Sequence, residues 1–184
     1  MNILIHICCA PCAIFPMQVL KEKGHKITGL FYNPNIHPTC EYLKRRSEVE
    51  VYAKETGVNI MHSDYDIENY FQHIVYNEAA NDRCPVCWRL RLERAAKTAR
   101  DNGFEAVTTT LLGSPYQDQE AIKSAGEREA KNAGLKFYYE DFRVGFKKAH
   151  KLARSKGMYC QNYCGCVFSE KERLEKKKCS TQAR

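Results

Sequence analysis

The sequence predicts an α/β fold: a single domain over residues 1–184, with a mostly parallel sheet carrying helices on both faces. Three observations predict it. Short apolar runs alternate with amphipathic stretches at a spacing of about 25 residues, the rhythm of β-α-β units. Gly24, Gly57, Gly103 and Gly134 stop four of the amphipathic stretches. Segments rich in cysteine, Asn-Pro and Asp follow the apolar runs, where the carboxyl ends of parallel strands gather ligands.

The elements follow in order. Residues 2–7 (NILIHI) are an unbroken apolar run and predict a buried first strand. His6 within it reads as a satisfied core histidine. Residues 14–23 set Ile14, Met17 and Leu20 on one helical face. Residues 26–32 (KITGLFY) predict the second strand. Residues 39–56 carry Tyr42, Val49 and Tyr52 at helical spacing. Residues 58–62 (VNIMH) predict a third strand, and 66–79, with Ile67, Tyr70, Phe71 and Ile74, a helix. A helix over 88–101 precedes the fourth strand at 104–110 (FEAVTTT). A helix over 117–133 precedes the fifth at 135–139 (LKFYY). The tail, about 168–184, contains SEKERLEKKK at 169–178 and predicts a charged helix.

Composition bounds the function. A chain of 184 residues with 43% hydrophobic and 28% charged side chains is an ordinary globular protein that folds without staples. The start, MNILIHICCAPC, has no basic region and too short an apolar run for a signal peptide. No stretch approaches the ~18 apolar residues of a membrane span. The expectation is a cytoplasmic protein with reduced thiols and no membrane partner. The net charge of +7 admits a polyanionic one.

The chain has ten cysteines. In a reducing compartment, clustered cysteines point to metal or redox chemistry more than to disulfides. The groups are Cys8-Cys9-x-x-Cys12, Cys84-Pro85-Val86-Cys87, Cys160 and Cys164-Gly165-Cys166; Cys40 and Cys179 stand alone. A C-x-x-C pair brings two sulfurs onto one turn. Two such pairs supply the four that a zinc or an iron–sulfur cluster requires. At least seven cysteines lie in motifs, more than one closed zinc uses, and the surplus favours redox work. A disulfide between Cys164 and Cys166 would close a small, strained ring, which makes a readily reduced pair. Spacing alone leaves open which two of Cys8, Cys9 and Cys12 serve, and it admits Cys160.

The motifs CCAPC (8–12), NPNIHP with Glu41-Tyr42 and Arg46 (33–46), RCPVCWRLRL (83–92), TTTLLGSPYQD (108–118) and YCGCVFS (163–169) resemble, in order and spacing, the QueH-type epoxyqueuosine reductases. The resemblance covers residues 1 to about 174. It implies reduction of epoxyqueuosine at the wobble position of tRNA to queuosine, the last step of making that nucleoside. It implies a fold similar to the nucleotide α-hydrolase and PP-loop proteins. ATP use is not expected, because ICCAPC has no glycine-rich loop for phosphate. By resemblance, Cys8, Cys9, Cys84 and Cys87 hold a [4Fe-4S] cluster, Cys12 with Asp66 or Asp64 holds an adjacent iron, and Cys164 and Cys166 form a redox-active pair. Cys40 and Cys160 fall outside the pattern.

Further roles follow from the chemistry. Deoxygenating an epoxide needs a proton donor, and Asp66, Asp64 and His37 follow strand ends; Asp66 reads equally as a helix cap. A base splayed from an anticodon loop stacks on aromatic or guanidinium planes, for which Tyr116, Gln117, Arg143, Trp88 and Tyr163 are candidates. Arg83, Arg89 and Arg91 are candidate phosphate contacts, as is the 171–178 run. An electron donor is required and not visible. The competing reading is a zinc-stapled nucleic-acid-binding domain without catalysis.

Overall fold

The computed structural model describes residues 1–182, with side chains described as far as residue 178. The order is β1 (Asn2–His6), α1 (Ala10–Glu22), β2 (Lys26–Phe31), α2 (Thr39–Thr56), β3 (Ile60–His62), α3 (Ile67–Ile74), α4 (Ala80–Asp101), β4 (Ala106–Thr109), α5 (Gln119–Asn132), β5 (Lys136–Phe137), α6 (Phe146–Ser155) and α7 (Val167–Gln182). Short 3-10 turns occupy Thr110–Gly113 and Phe142–Gly145. The five strands form one sheet, β3-β2-β1-β4-β5, parallel throughout.

Period-two alternation sends β1 side chains to both faces. Ile3, Ile5 and Ile7 join Ile14, Met17 and Leu20 of α1 and Val49 and Tyr52 of α2. Leu4 points the other way, with Leu30, Tyr32 and Val107, onto Ala95, Ala96 and Ala99 of α4 and Ala130 of α5. Each fully buried aliphatic contributes on the order of 1.5–3 kcal/mol. The fold class is thus the one expected. His6 is buried and satisfied: Nε2 donates to the Tyr32 carbonyl at 3.0 Å, so Nδ1 accepts from the Thr109 hydroxyl at 2.9 Å. Burial pushes its pKa down to about 4.

Three helix boundaries differ from expectation. α1 begins at Ala10, because Pro11 fits a first helical turn. α4 begins at Ala80 rather than 88, accommodating Pro85 near its amino end, so Cys84 and Cys87 are helical. α3 ends at Ile74 rather than 79, because Val75 leaves helical geometry and Tyr76 adopts φ 66°. α6 was not foreseen: its buried positions are Ala149 and Ala153, and its three lysines and one arginine read as solvated charge despite a marked amphipathic pattern. Among the described residues no helix is long and apolar enough to cross a membrane.

Candidate thiol and metal centre

The strand order reverses between β1 and β4, and the chain leaving β1 at that switch point carries Cys8, Cys9 and Cys12. The Cys8 N–H donates to Thr110 Oγ1 at 3.1 Å, and the Thr110 hydroxyl donates to Cys8 Sγ at 3.3 Å. Cys9 is the N-cap of α1, and Cys12 lies in its first turn. The Sγ atoms are 3.8 Å apart for Cys8–Cys9 and 2.6 Å for Cys9–Cys12, and all three lie within 4.8 Å of one another. Hydrogen bonds from Cys12 and Cys9 hold the Cys8 thiol well below its usual range. The bond to Cys8 raises Cys12, and burial raises Cys9. The three sulfurs thus share hydrogen bonds at the positive end of α1, with Cys8 the most acidic of them. Gln161 closes it, with Nε2 at 2.8 Å from Cys9 Sγ and 3.6 Å from Cys12 Sγ.

Cys84 and Cys87 lie in the first two turns of α4, outside the 4.8 Å group. Burial pushes their thiols up to about 11 and about 12. Both interact with the charges of Cys164 and Cys166, and both are opposed by Arg91. Arg91 is 1% exposed, and its Nε donates to the Cys87 carbonyl at 3.2 Å. The same guanidinium acts on Cys87, Cys164 and Cys8, and its Nη2 is buried without a partner.

Cys164 and Cys166 are free thiols in the loop before α7. The Cys164 residue is exposed, yet the protein around its sulfur desolvates the thiol and raises its pKa. Cys166 is buried and accepts from the Ser169 N–H at 3.4 Å. Gly165 between them has φ 146°, and a Cβ there would stand 3.0 Å from Ile36, so the turn needs glycine.

This loop is pinned from α2 and from NPNIHP. Arg45, 1% exposed, pairs with Glu41 at 2.7 Å and donates to the Cys164 and Tyr163 carbonyls at 2.9 and 3.1 Å. The residue singled out in the motif, Arg46, is half-exposed and pairs with Glu50 instead. The His37 N–H donates to the Gly165 carbonyl at 2.8 Å, and the Tyr163 hydroxyl donates to the His37 carbonyl. The His37 ring stacks on Phe71 at 4.8 Å; its Nδ1 accepts from the Val167 N–H and its Nε2 has no partner. Burial lowers its pKa.

A cleft of about 320 Å³ opens onto these thiols, with Cys12, Cys164 and Gln161 in its lining and Tyr116, Phe146 and Tyr163 as aromatic walls. His150 also lines it, with Nε2 buried and unpartnered. Trp88 is buried, and its indole N–H donates to Gln117 Oε1 at 2.7 Å; Gln117 Nε2 in turn reaches Cys164 Sγ at 3.7 Å. Tyr116 is 83% exposed at the mouth.

Other candidates lie elsewhere. Asp66 caps α3, accepting from the Asn69 N–H at 3.3 Å, and faces Arg94 at 3.9 Å; Asp64 is exposed. Neither joins the cysteine group. Arg143 is clamped to Asp141 at 2.6 Å and does not line the cleft. Arg83 and Arg91 are buried and Arg89 pairs with Glu93, so none of the three presents a free guanidinium to phosphate. The side chain of Cys179 lies outside the described residues. Sequence reasoning missed Arg45, His150 and Gln161, and gave Arg91 a phosphate role that its burial rules out. Only Arg45 left a signal, the Glu41–Arg45 spacing of four.

The family model described as epoxyqueuosine reductase QueH matches residues 3–172. The Thermotoga maritima epoxyqueuosine reductase QueH is 36% identical, over 95% of this chain and 93% of its own. Its Dehalococcoides mccartyi counterpart is 32% identical, over 95% and 96%. A solved structure described as a predicted subunit of tRNA methyltransferase from Methanocaldococcus jannaschii superposes with TM-score 0.51 at 16% identity, covering 84% of this chain and 76% of that one, a likeness of fold alone. The motif match seen in the sequence, the cysteines gathered at the switch point and these relatives agree: the chain belongs to the epoxyqueuosine reductase QueH family.

Proposed function

We propose that the whole chain is one catalytic unit that reduces epoxyqueuosine in tRNA to queuosine. The observation that carries the reading is the gathering of Cys8, Cys9 and Cys12 within 4.8 Å at the switch point, with polar residues distant in sequence drawn to the thiols: Gln161 bonds Cys9 across 152 positions, and Gln117 bonds Cys164 across 47. Cys8, Cys9, Cys84 and Cys87 are the proposed ligands of a [4Fe-4S] cluster. The donor set fits such a group, because thiolates suit it and because Arg91 keeps an unpartnered Nη2 beside Cys8, Cys87 and Cys164. When bound, the cluster supplies single electrons at low potential. Cys12 is the proposed sulfur ligand of an adjacent iron; a carboxylate from Asp66 or Asp64 requires Asp66 to leave its cap or Asp64 to turn inward.

The reaction breaks both C–O bonds of the epoxide, leaves an alkene, and releases water for two electrons and two protons. Oxidation of the Cys164 and Cys166 thiols to a disulfide releases that number of each, and an electron donor restores them. Tyr116, Phe146 and Tyr163 hold the extruded base in the cleft and exclude water. Trp88 and Gln117 orient Cys164. His150 places an imidazole on the cleft wall, with Nε2 unpartnered, within the space the departing oxygen would occupy. His37 and Asp66 remain candidates for the same proton, each at present tied into a loop or cap.

The reading is tested by incubating epoxyqueuosine-bearing tRNA anaerobically with the protein and a low-potential chemical reductant, then digesting it and weighing the nucleosides. Conversion to the species lighter by one oxygen is expected; unchanged epoxyqueuosine overturns it.

A further inference from the structure

The cleft does not end at the thiols. A groove of about 660 Å³ shares Tyr116, Phe146, His150, Gln161 and Asn162 with it and runs out along α6. Lys147, Lys151 and Arg154 line that groove, and no carboxylate does. At 100° per residue these three positions fall within about 60° of one helix face and span about 11 Å. Among the described residues none of them has an ion-pair partner. Several cations elsewhere are compensated, Arg83 by Glu172, Lys171 by Glu175 and Lys97 by Asp101, whereas these three share one groove with no carboxylate in its lining.

We infer that the α6 face, Lys147, Lys151 and Arg154, is the phosphate-binding track that seats the RNA strand flanking the base held in the cleft. The identity of the RNA rests on the reductase reading. A 320 Å³ cleft is at the small end of ligand pockets and admits one extruded nucleoside, not a duplex. The adjoining strand must then leave past Tyr116, whose exposed ring lies edge-on to Phe146 at 5.8 Å and offers a stacking platform. Beyond it, three unpaired cations spread over about 11 Å offer contacts to a few successive phosphates of a single strand. The arginines beside CPVC do not serve, being buried or paired.

The test compares Lys147→Gln/Lys151→Gln/Arg154→Gln with a control of equal charge change on the opposite rim, Lys54→Gln/Lys131→Gln/Lys136→Gln, where α2 and α5 end and β5 begins. All six side chains are exposed, and unchanged thermal melts verify folding. Binding of an unmodified anticodon stem-loop RNA and KM for epoxyqueuosine-tRNA are measured from 50 to 300 mM salt. The α6 variant is expected to weaken binding and raise KM roughly ten- to hundredfold at 150 mM, leave kcat within about twofold, and lower the log–log salt slope by about 2, at ~0.7 per phosphate contact. The control is expected to change neither by more than about twofold. Equal effects from both variants, or a KM rise confined to the electron donor, overturn the assignment. RNA binding is read without catalysis, so an inactive wild type refutes the reductase reading while the α6 track is still decided.

Discussion

Replacing Arg45 by methionine destabilises the protein by about 3–5 kcal/mol, the range for breaking a buried ion pair from one side. Glu41 is 6% exposed and is left with the Tyr159 hydroxyl at 2.5 Å as its side-chain partner. The Cys164 and Tyr163 carbonyls lose their donors in the same step. For a chain of this length the melting temperature falls by roughly 6–20 °C. Urea unfolding measures the loss, and Glu41→Gln/Arg45→Met recovers part of it by removing the stranded carboxylate. A loss below about 1 kcal/mol in the single variant would show that Arg45 does not hold the loop.

Cys84→Ser removes a proposed cluster ligand and is expected to lower iron and sulfide content and tRNA-reducing activity together. The drop exceeds about a hundredfold in activity, beyond the 10–100-fold carried by groups that merely support ligands. Cys40→Ser, at an exposed thiol outside the centre, leaves both unchanged. Activity lost with iron and sulfide retained would place Cys84 outside the ligand set. Cys164→Ser separates a third role: turnover kept with a chemical reductant and stalled with the physiological donor marks an electron relay.

The strands and most helices were legible because β1 and its neighbours are apolar runs and α2 and α5 are bounded by Gly57 and Gly134. Boundaries slipped where a rule had an exception. Pro85 reads as a breaker yet sits inside α4, and Tyr76 ends α3 through a backbone angle that no side-chain pattern announces. α6 hid because its lysines and arginine read as solvated charge. The cysteine motifs were legible as chemistry, and strand polarity placed Cys8, Cys9 and Cys12 at the switch point where their sulfurs gather. Arg91 and Gln161 were not, since an arginine inside RCPVCWRLRL looks like surface charge until α4 turns it into the core. Asp66 illustrates the reverse case: a carboxylate after a strand that the fold uses to cap α3.

The most direct measurement of the central claim is the iron, acid-labile sulfide and zinc content of the protein purified without oxygen. The account predicts a brown protein with about four irons and four sulfides per chain, and a further iron at the adjacent site. A colourless protein with one zinc and no sulfide would contradict it and establish the thiols as a structural staple.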